Sequence, residues 1–238
     1  MTSTAPHGDP TGQASEDRSS DEPGSVERYP GLFIALEGGD GAGKSTQIKR
    51  LTRNLQDTGH TVLTTREPGG SPMGEEIRDL VLNPAYAPVG ARTEALLFAA
   101  SRSAHVETVI RPALQRGEVV VTDRYLDSSV AYQGAGRGLG TAVVRDLNTW
   151  AVSGLMPDLT VLLDVSAATG RARRSSRTED RMEQESEEFH DQVRQAFLDL
   201  AAQSPDRYLV LPADSPVPAL AERIAARAQE ILGARRLP

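Results

Sequence analysis

From Tyr29 onward the chain alternates short apolar runs with longer amphipathic segments. Residues 32–36 (LFIAL) are continuously apolar, the pattern of a strand buried on both faces. A glycine-rich stretch follows. The spacing of Ile48, Leu51 and Leu55 then predicts a helix with one apolar face, ended at Gly59. The β-branched run 61–65 (TVLTT) predicts a second strand, 66–70 (REPGG) a turn, and 71–82 a helix with Pro72 in its first turn. Residues 91–116 predict one long helix, with Pro112 as its candidate kink and Gly117 as its end. Residues 118–122 (EVVVT), 159–165 (LTVLLDV) and 207–211 (RYLVL) predict three more strands. Helices are predicted over 141–153, 182–203 and 216–232, the second burying Phe189, Val193, Phe197 and Leu200. Five strands alternating with helices predict an α/β fold whose parallel sheet is covered on both faces. No internal repeat is present.

Residues 1–28 break this pattern. Val26 is their one large aliphatic residue, and Ser, Thr, Pro, Gly, Asp and Glu dominate. Such a stretch buries too little apolar surface to offset its ordering entropy, so it is expected to be a disordered acidic tail ahead of a domain over 29–238. It lacks the basic start and apolar run of a signal peptide. The tail carries −4 of the chain's formal −7 and leaves the domain nearly balanced. Net acidity disfavours nucleic acid as a partner. No apolar stretch approaches the roughly 20 residues of a membrane span. The absence of cysteine excludes disulfides, thiolate catalysis and Cys-ligated metal. His7, His60, His105 and His190 are too scattered to suggest a zinc site. A cytoplasmic location is expected. Lys44 and Lys49 are the only lysines beside 24 arginines, which makes Lys44 conspicuous.

Lys44 closes a phosphate-binding pattern. Gly38-Gly39-Asp40-Gly41-Ala42-Gly43-Lys44-Ser45 fits G-x-x-x-x-G-K-[ST] between a predicted buried strand and a predicted helix. Glycines let successive N–H groups point inward as an anion nest, and the helix adds its positive end. Lys44 is expected to reach the β- and γ-phosphates and the Ser45 hydroxyl to ligate Mg²⁺. Gly38 through Thr46 are therefore the candidate ATP-binding residues. This loop alone leaves GTPases, motor ATPases and small-molecule kinases open.

The acceptor is addressed by other segments. Arg66-Glu67-Pro68-Gly69-Gly70 follows the second strand, and Asp123-Arg124-Tyr125 follows the third. Both belong at the carboxyl edge, where ligands sit in open α/β sheets. Phe98 and Arg102 are spaced i, i+4 on one helical face, suited to stacking a base and bonding its carbonyl. A core aromatic with a snorkelling arginine is the plainer explanation of that pair.

With EGGDGAGKST (37–46), TREPGG (65–70), LLFAASRSAHVETVIRPAL (96–114), DRYLDSSVAYQGAGRG (123–138), PDLTVLLDV (157–165) and DRMEQE (180–185) in this order, the chain resembles the thymidylate kinase family over roughly 31–235. The resemblance implies a P-loop NTPase-type three-layer α/β/α fold with a five-stranded parallel sheet and a mobile lid at about 170–181. It also implies ATP- and Mg²⁺-dependent phosphorylation of dTMP to dTDP for dTTP biosynthesis, and a homodimer. Asp40 is then expected near the deoxyribose 3′-hydroxyl, and Arg66 and Arg124 on the acceptor phosphate. Phe98 is expected to stack on thymine, Arg102 to bond a ring carbonyl and Ser129 to face the base edge. Tyr132 is expected against the sugar, with Pro68 and Gln133 beside the nucleotide and Asp123 near Mg²⁺.

The run Gly170-Arg171-Ala172-Arg173-Arg174-Ser175-Ser176-Arg177 is basic and follows the fourth strand. The phosphate loop itself has no arginine, so Arg173, Arg174 or Arg177 is expected to supply positive charge to the transferring group. Arg173 and Arg177 therefore join Lys44, Arg124 and Asp40 as candidate catalytic residues. Another nucleoside monophosphate or deoxynucleoside kinase, and a nucleotide-dependent switch with no acceptor, are the competing functions.

Overall fold

The computed structural model describes Met1, residues 29–174 and residues 180–235. The acidic segment before Tyr29 and the stretch 175–179 thus lie outside the described residues, and with them the expectation of a disordered tail. The five strands are β1 (Leu32–Glu37), β2 (Val62–Arg66), β3 (Val119–Asp123), β4 (Leu159–Asp164) and β5 (Tyr208–Pro212). They form one parallel sheet in the order β2-β3-β1-β4-β5. Each begins within a residue of its predicted position. The three inner strands β1, β3 and β4 are almost wholly buried and read as unbroken apolar runs, whereas the edge strands β2 and β5 are only partly buried.

The side chains of β1 alternate between two cores. Leu32, Ile34 and Leu36 join Ile48, Leu51 and Leu55 of α1 (Lys44–Asp57) and Leu220, Ile224 and Ala228 of α9 (Val217–Arg235). Phe33 and Ala35 join the opposite core. There they meet α4 (Arg111–Gln115), α5 (Leu126–Ser129), α8 (Glu187–Gln203) and the wide helical turn Val130–Gly136. Three layers result. The remaining helices are α2 (Pro72–Leu82), α3 (Ala91–His105), α6 (Thr141–Ala151) and α7 (Ala167–Arg174).

Three helical expectations need correction. The stretch 91–116 is not one regular α-helix, because a π-helical turn, Val106–Ile110, separates α3 from α4. Pro112 lacks an N–H and its ring crowds the carbonyl four residues back, and the wider turn just ahead of it makes room. The helix predicted from 182 starts at Glu187, where the Ser186 side chain accepts from Phe189 N–H. Residues 180–185 instead fold around Asp180, whose carboxylate accepts from the Met182 and Glu183 N–H groups. The helical stretch 126–136 has no counterpart in the predicted elements, because its π geometry does not follow a 3.6-residue apolar period.

Candidate functional site

β1 and β3 are neighbours with Leu36 opposite Asp123, so the loops leaving their carboxyl ends meet. The chain turns toward β2 after β1 and toward β4 after β3, which opens a crevice at this edge. A cavity of about 590 Å³ occupies it.

The glycine loop forms one wall. Gly38, Gly41 and Gly43 all have positive φ. At Gly41 space is limiting as well, since a Cβ there would lie 2.3 Å from the Gly170 carbonyl oxygen of α7. Asp40, Gly41, Gly43, Lys44, Ser45 and Thr46 line the cavity, whereas Gly38, Gly39 and Ala42 lie behind this wall. The Lys44 ammonium donates to the Gly38 and Gly39 carbonyls at 3.0 and 3.2 Å. Burial, then the charge of Arg124, lowers its pKa against the opposing pull of Asp123, Asp40 and Glu37. Such a lysine is ready to exchange loop carbonyls for phosphate oxygens. Ser45 Oγ donates to Asp123 Oδ2 at 3.3 Å. A hydroxyl and a carboxylate at this spacing suit Mg²⁺, which takes few protein ligands and completes its shell with water and phosphate. Among the described residues no cluster of three or more His, Asp or Glu is placed to hold a metal alone.

The opposite wall carries the acceptor candidates. Arg66, Pro68, Phe98, Arg102, Arg124, Ser129, Tyr132 and Gln133 all line the same cavity. Arg124 sits at φ +72, aimed by its turn at the loop. Its Nη2 donates to Asp40 Oδ1 at 2.7 Å and to the Tyr132 hydroxyl at 3.2 Å, and its Nη1 to Ser128 Oγ at 3.1 Å. Arg124 thus pairs with Asp40 of the facing loop rather than with Asp123. Burial raises the Tyr132 pKa, so the phenol stays protonated and keeps a donor for Asp40 Oδ2. Arg66 is about half exposed and pairs with Glu75 at 2.8 Å.

Arg102 does not snorkel. It is 2% exposed and spends four N–H groups on protein. Nε donates to Glu67 Oε2 at 2.6 Å, Nη1 to Ser129 Oγ and Asn148 Oδ1, and Nη2 to the Tyr125 carbonyl. Of its five donors, one Nη2 N–H is left for a ligand among the described residues. Glu67 also meets His105 Nδ1 at 3.0 Å, and His105 Nε2 meets Thr65 Oγ1 at 2.7 Å. A Cβ on Gly70 would lie 2.4 Å from that same His105 Nε2. REPGG is therefore a packed support for Arg102 as well as a turn. Gln133 gives its amide N–H to the buried Glu94, which also holds Arg137 and Arg181.

Arg173 lines the cavity and donates to the Gly41 and Ala213 carbonyls at 3.4 and 3.1 Å, so α7 brings it over the loop. Arg177 and the side chain of Arg174 lie outside the described residues. Glu67, Arg78, Ser128, Asp180, Met182 and Glu183 line the cavity without having been singled out from sequence. For all but Arg78 of α2, their places within TREPGG, DRYLDSS and DRMEQE were the available signal.

Comparison with known proteins agrees on one family. The model for thymidylate kinase matches residues 36–224. The thymidylate kinase of Clavibacter sepedonicus is 57% identical over 206 residues, covering 86% of this chain and 97% of that protein. That of Leifsonia xyli subsp. xyli is 58% identical over 200 residues, covering 83% and 94%. The crystal structure of thymidylate kinase from Ehrlichia chaffeensis superimposes with a TM-score of 0.68 at 30% identity, covering 84% of this chain and 98% of that one.

Proposed function

The chain belongs to the thymidylate kinase family, and from that premise we propose how its cavity performs ATP-dependent phosphorylation of dTMP to dTDP. The observation that carries the proposal is the pair of facing anion cradles. The glycine loop with Lys44 lies on one side, and Arg124, Arg66 and Arg102 lie on the other.

ATP enters with its phosphates in the nest of residues 38–46, and Lys44 shifts from the Gly38 and Gly39 carbonyls onto them. The acceptor phosphate lies against Arg124 and Arg66, whose guanidinium forks match its oxygens. Asp40 turns from Arg124 toward the sugar hydroxyl. Phe98 stacks on the base while the free N–H of Arg102 and the Ser129 hydroxyl address its edge. Tyr132 fills the space where a 2′-hydroxyl would sit, and Pro68 and Gln133 complete the wall. The acceptor oxygen is already ionised near neutral pH, so no general base is needed. Positioning and positive charge carry the step. Arg173 supplies part of that charge from above the loop, with Arg177 as the second candidate. Ser45 and Asp123 would hold Mg²⁺, which when bound neutralises phosphate charge.

A homodimer is part of the same proposal. The helices α2, α3 and α6 leave Met73, Leu96, Val143 and Trp150 more than half exposed, an apolar area suited to a second copy. A cytoplasmic location fits the need for ATP. No described helix is long and apolar enough to cross a membrane. The deciding experiment is a coupled assay of ADP release with dTMP, dUMP, dGMP and UMP. dTMP should lead, with dUMP reduced about 10- to 200-fold for its missing methyl. Equal rates with dGMP would remove the pyrimidine site from the proposal, and ATP binding with no monophosphate turnover would leave a nucleotide switch.

A further inference from the structure

We propose that Glu37 is a positioning residue for the acceptor side of the reaction, holding Arg124 through the hydroxyl of Ser128. The inference rests on the reading that Arg124 grips the acceptor phosphate, and it names what fixes that grip.

Glu37 ends β1, immediately before the glycine loop, and is fully buried. Its carboxylate accepts three hydrogen bonds from the turn after β3. Tyr125 N–H and Ser128 N–H reach Oε1 at 2.8 and 3.2 Å, and the Ser128 hydroxyl donates to Oε2 at 2.6 Å. Ser128 Oγ in turn accepts Arg124 Nη1–H at 3.1 Å. The two ends of this chain fix its direction. With Glu37 ionised, its carboxylate only accepts and the guanidinium only donates, so the single hydroxyl proton points to Glu37 and the Oγ lone pairs face Arg124. Nη1 is held by Ser128 and Nη2 by Asp40 and the Tyr132 hydroxyl, which leaves Nε–H and a second Nη1–H of Arg124 for phosphate among the described residues.

The same carboxylate pins the backbone. Arg124 occupies a left-handed conformation that a non-glycine residue keeps only where its surroundings impose it. Its own N–H donates to the Leu36 carbonyl at 2.9 Å, and the Thr122 hydroxyl donates to its carbonyl at 2.9 Å. The two N–H bonds to Glu37 hold the residues that follow it. A glutamine at 37 keeps the shape but reverses the polarity. Its amide N–H would take the Ser128 lone pair, leaving the hydroxyl proton without its acceptor or turned at the guanidinium.

The test compares Glu37→Gln, Ser128→Ala, Arg124→Ala and Ser128→Ala/Arg124→Ala by steady-state kinetics at about pH 8.5, where Glu37 is ionised, varying dTMP and ATP separately, with thermal melts alongside. Glu37→Gln and Ser128→Ala should each raise KM for dTMP about tenfold while KM for ATP stays within about twofold, the size of one hydrogen bond to a charged group. Ser128→Ala should add nothing in the Arg124→Ala background. A folded Ser128→Ala enzyme with wild-type KM for dTMP, a parallel rise in KM for ATP, or full additivity with Arg124→Ala overturns the relay. An Arg124→Ala enzyme with unchanged KM for dTMP overturns the acceptor reading and the relay together. If Glu37→Gln fails to fold, Ser128→Ala decides alone.

Discussion

Among the described residues Glu67 is the one carboxylate bonded to the buried guanidinium of Arg102, and replacing it with alanine removes that bond. Glu67 is 4% and Arg102 2% exposed, and their contact is 2.6 Å. In Glu67→Ala the guanidinium keeps Ser129, Asn148 and the Tyr125 carbonyl, all neutral, so a full charge remains buried without a counter-charge bonded to it. Breaking such a pair from one side costs about 3–5 kcal/mol. Against a domain stability of roughly 5–15 kcal/mol, that is a third or more of the total. Glu67→Gln keeps a hydrogen-bond acceptor for Arg102 or for His105 but not both, and should fall between alanine and wild type. Adding Arg102→Met to Glu67→Gln removes the unpaired charge and should restore part of the stability while abolishing base discrimination. Urea unfolding gives the energies, and the ratio of kcat/KM for dTMP to that for dUMP gives the discrimination. A Glu67→Ala protein within about 1 kcal/mol of wild type would refute the assignment of a buried, mutually dependent pair, since that is the range of an exposed one.

The remaining predictions concern the same edge of the sheet. Burial pushes Glu37 up to about 7 from its ordinary 4.5, against the pull of Arg124 and with Asp127 adding to the rise. Between those values the folded chain holds a proton that the unfolded chain has lost, so stability should fall as pH rises through this window, by about 3 kcal/mol. Urea melts across the window should show that slope for wild type and a flatter one for Glu37→Gln, and equal slopes would disprove it. Gly41→Ala should lower the melting temperature more than Gly43→Ala. Both have positive φ, but a Cβ at 41 strikes the Gly170 carbonyl whereas one at 43 meets nothing within 4 Å. Lys44→Ala should melt near wild type and lose about 100-fold or more in kcat, read in the coupled assay.

The strands and the phosphate loop were legible in the chain because each is a local pattern. β1 is six consecutive buried residues, and the loop fixes its residues over eight positions. The acceptor wall was legible as motifs, since TREPGG and DRY each follow a strand that ends at the same edge. Its supports were not legible. Glu67 meets Arg102 across 35 residues, Arg124 meets Asp40 across 84, and Glu37 meets Ser128 across 91. A carboxylate next to an apolar run reads as a strand end in contact with water unless its partner is known, and no local period marks a partner so far along the chain.

That difference has a physical origin in how the sheet is assembled. Parallel strands place every carboxyl end at one edge, so residues a whole βα unit apart become neighbours there. Apolar burial decides the register, as in the pairing of Leu36 with Asp123, and it does so with no regard to the charges carried beyond the strand ends. Those charges must then be satisfied by whatever the register brings alongside. Glu37 finds the turn after β3, and Glu67 finds α3, the second helix after β2. Each carboxylate ends up behind an arginine that faces the cavity, Arg124 in one case and Arg102 in the other. The two guanidinium groups are thereby fixed before any nucleotide arrives, and a site fixed in advance spends less of its binding energy on ordering side chains.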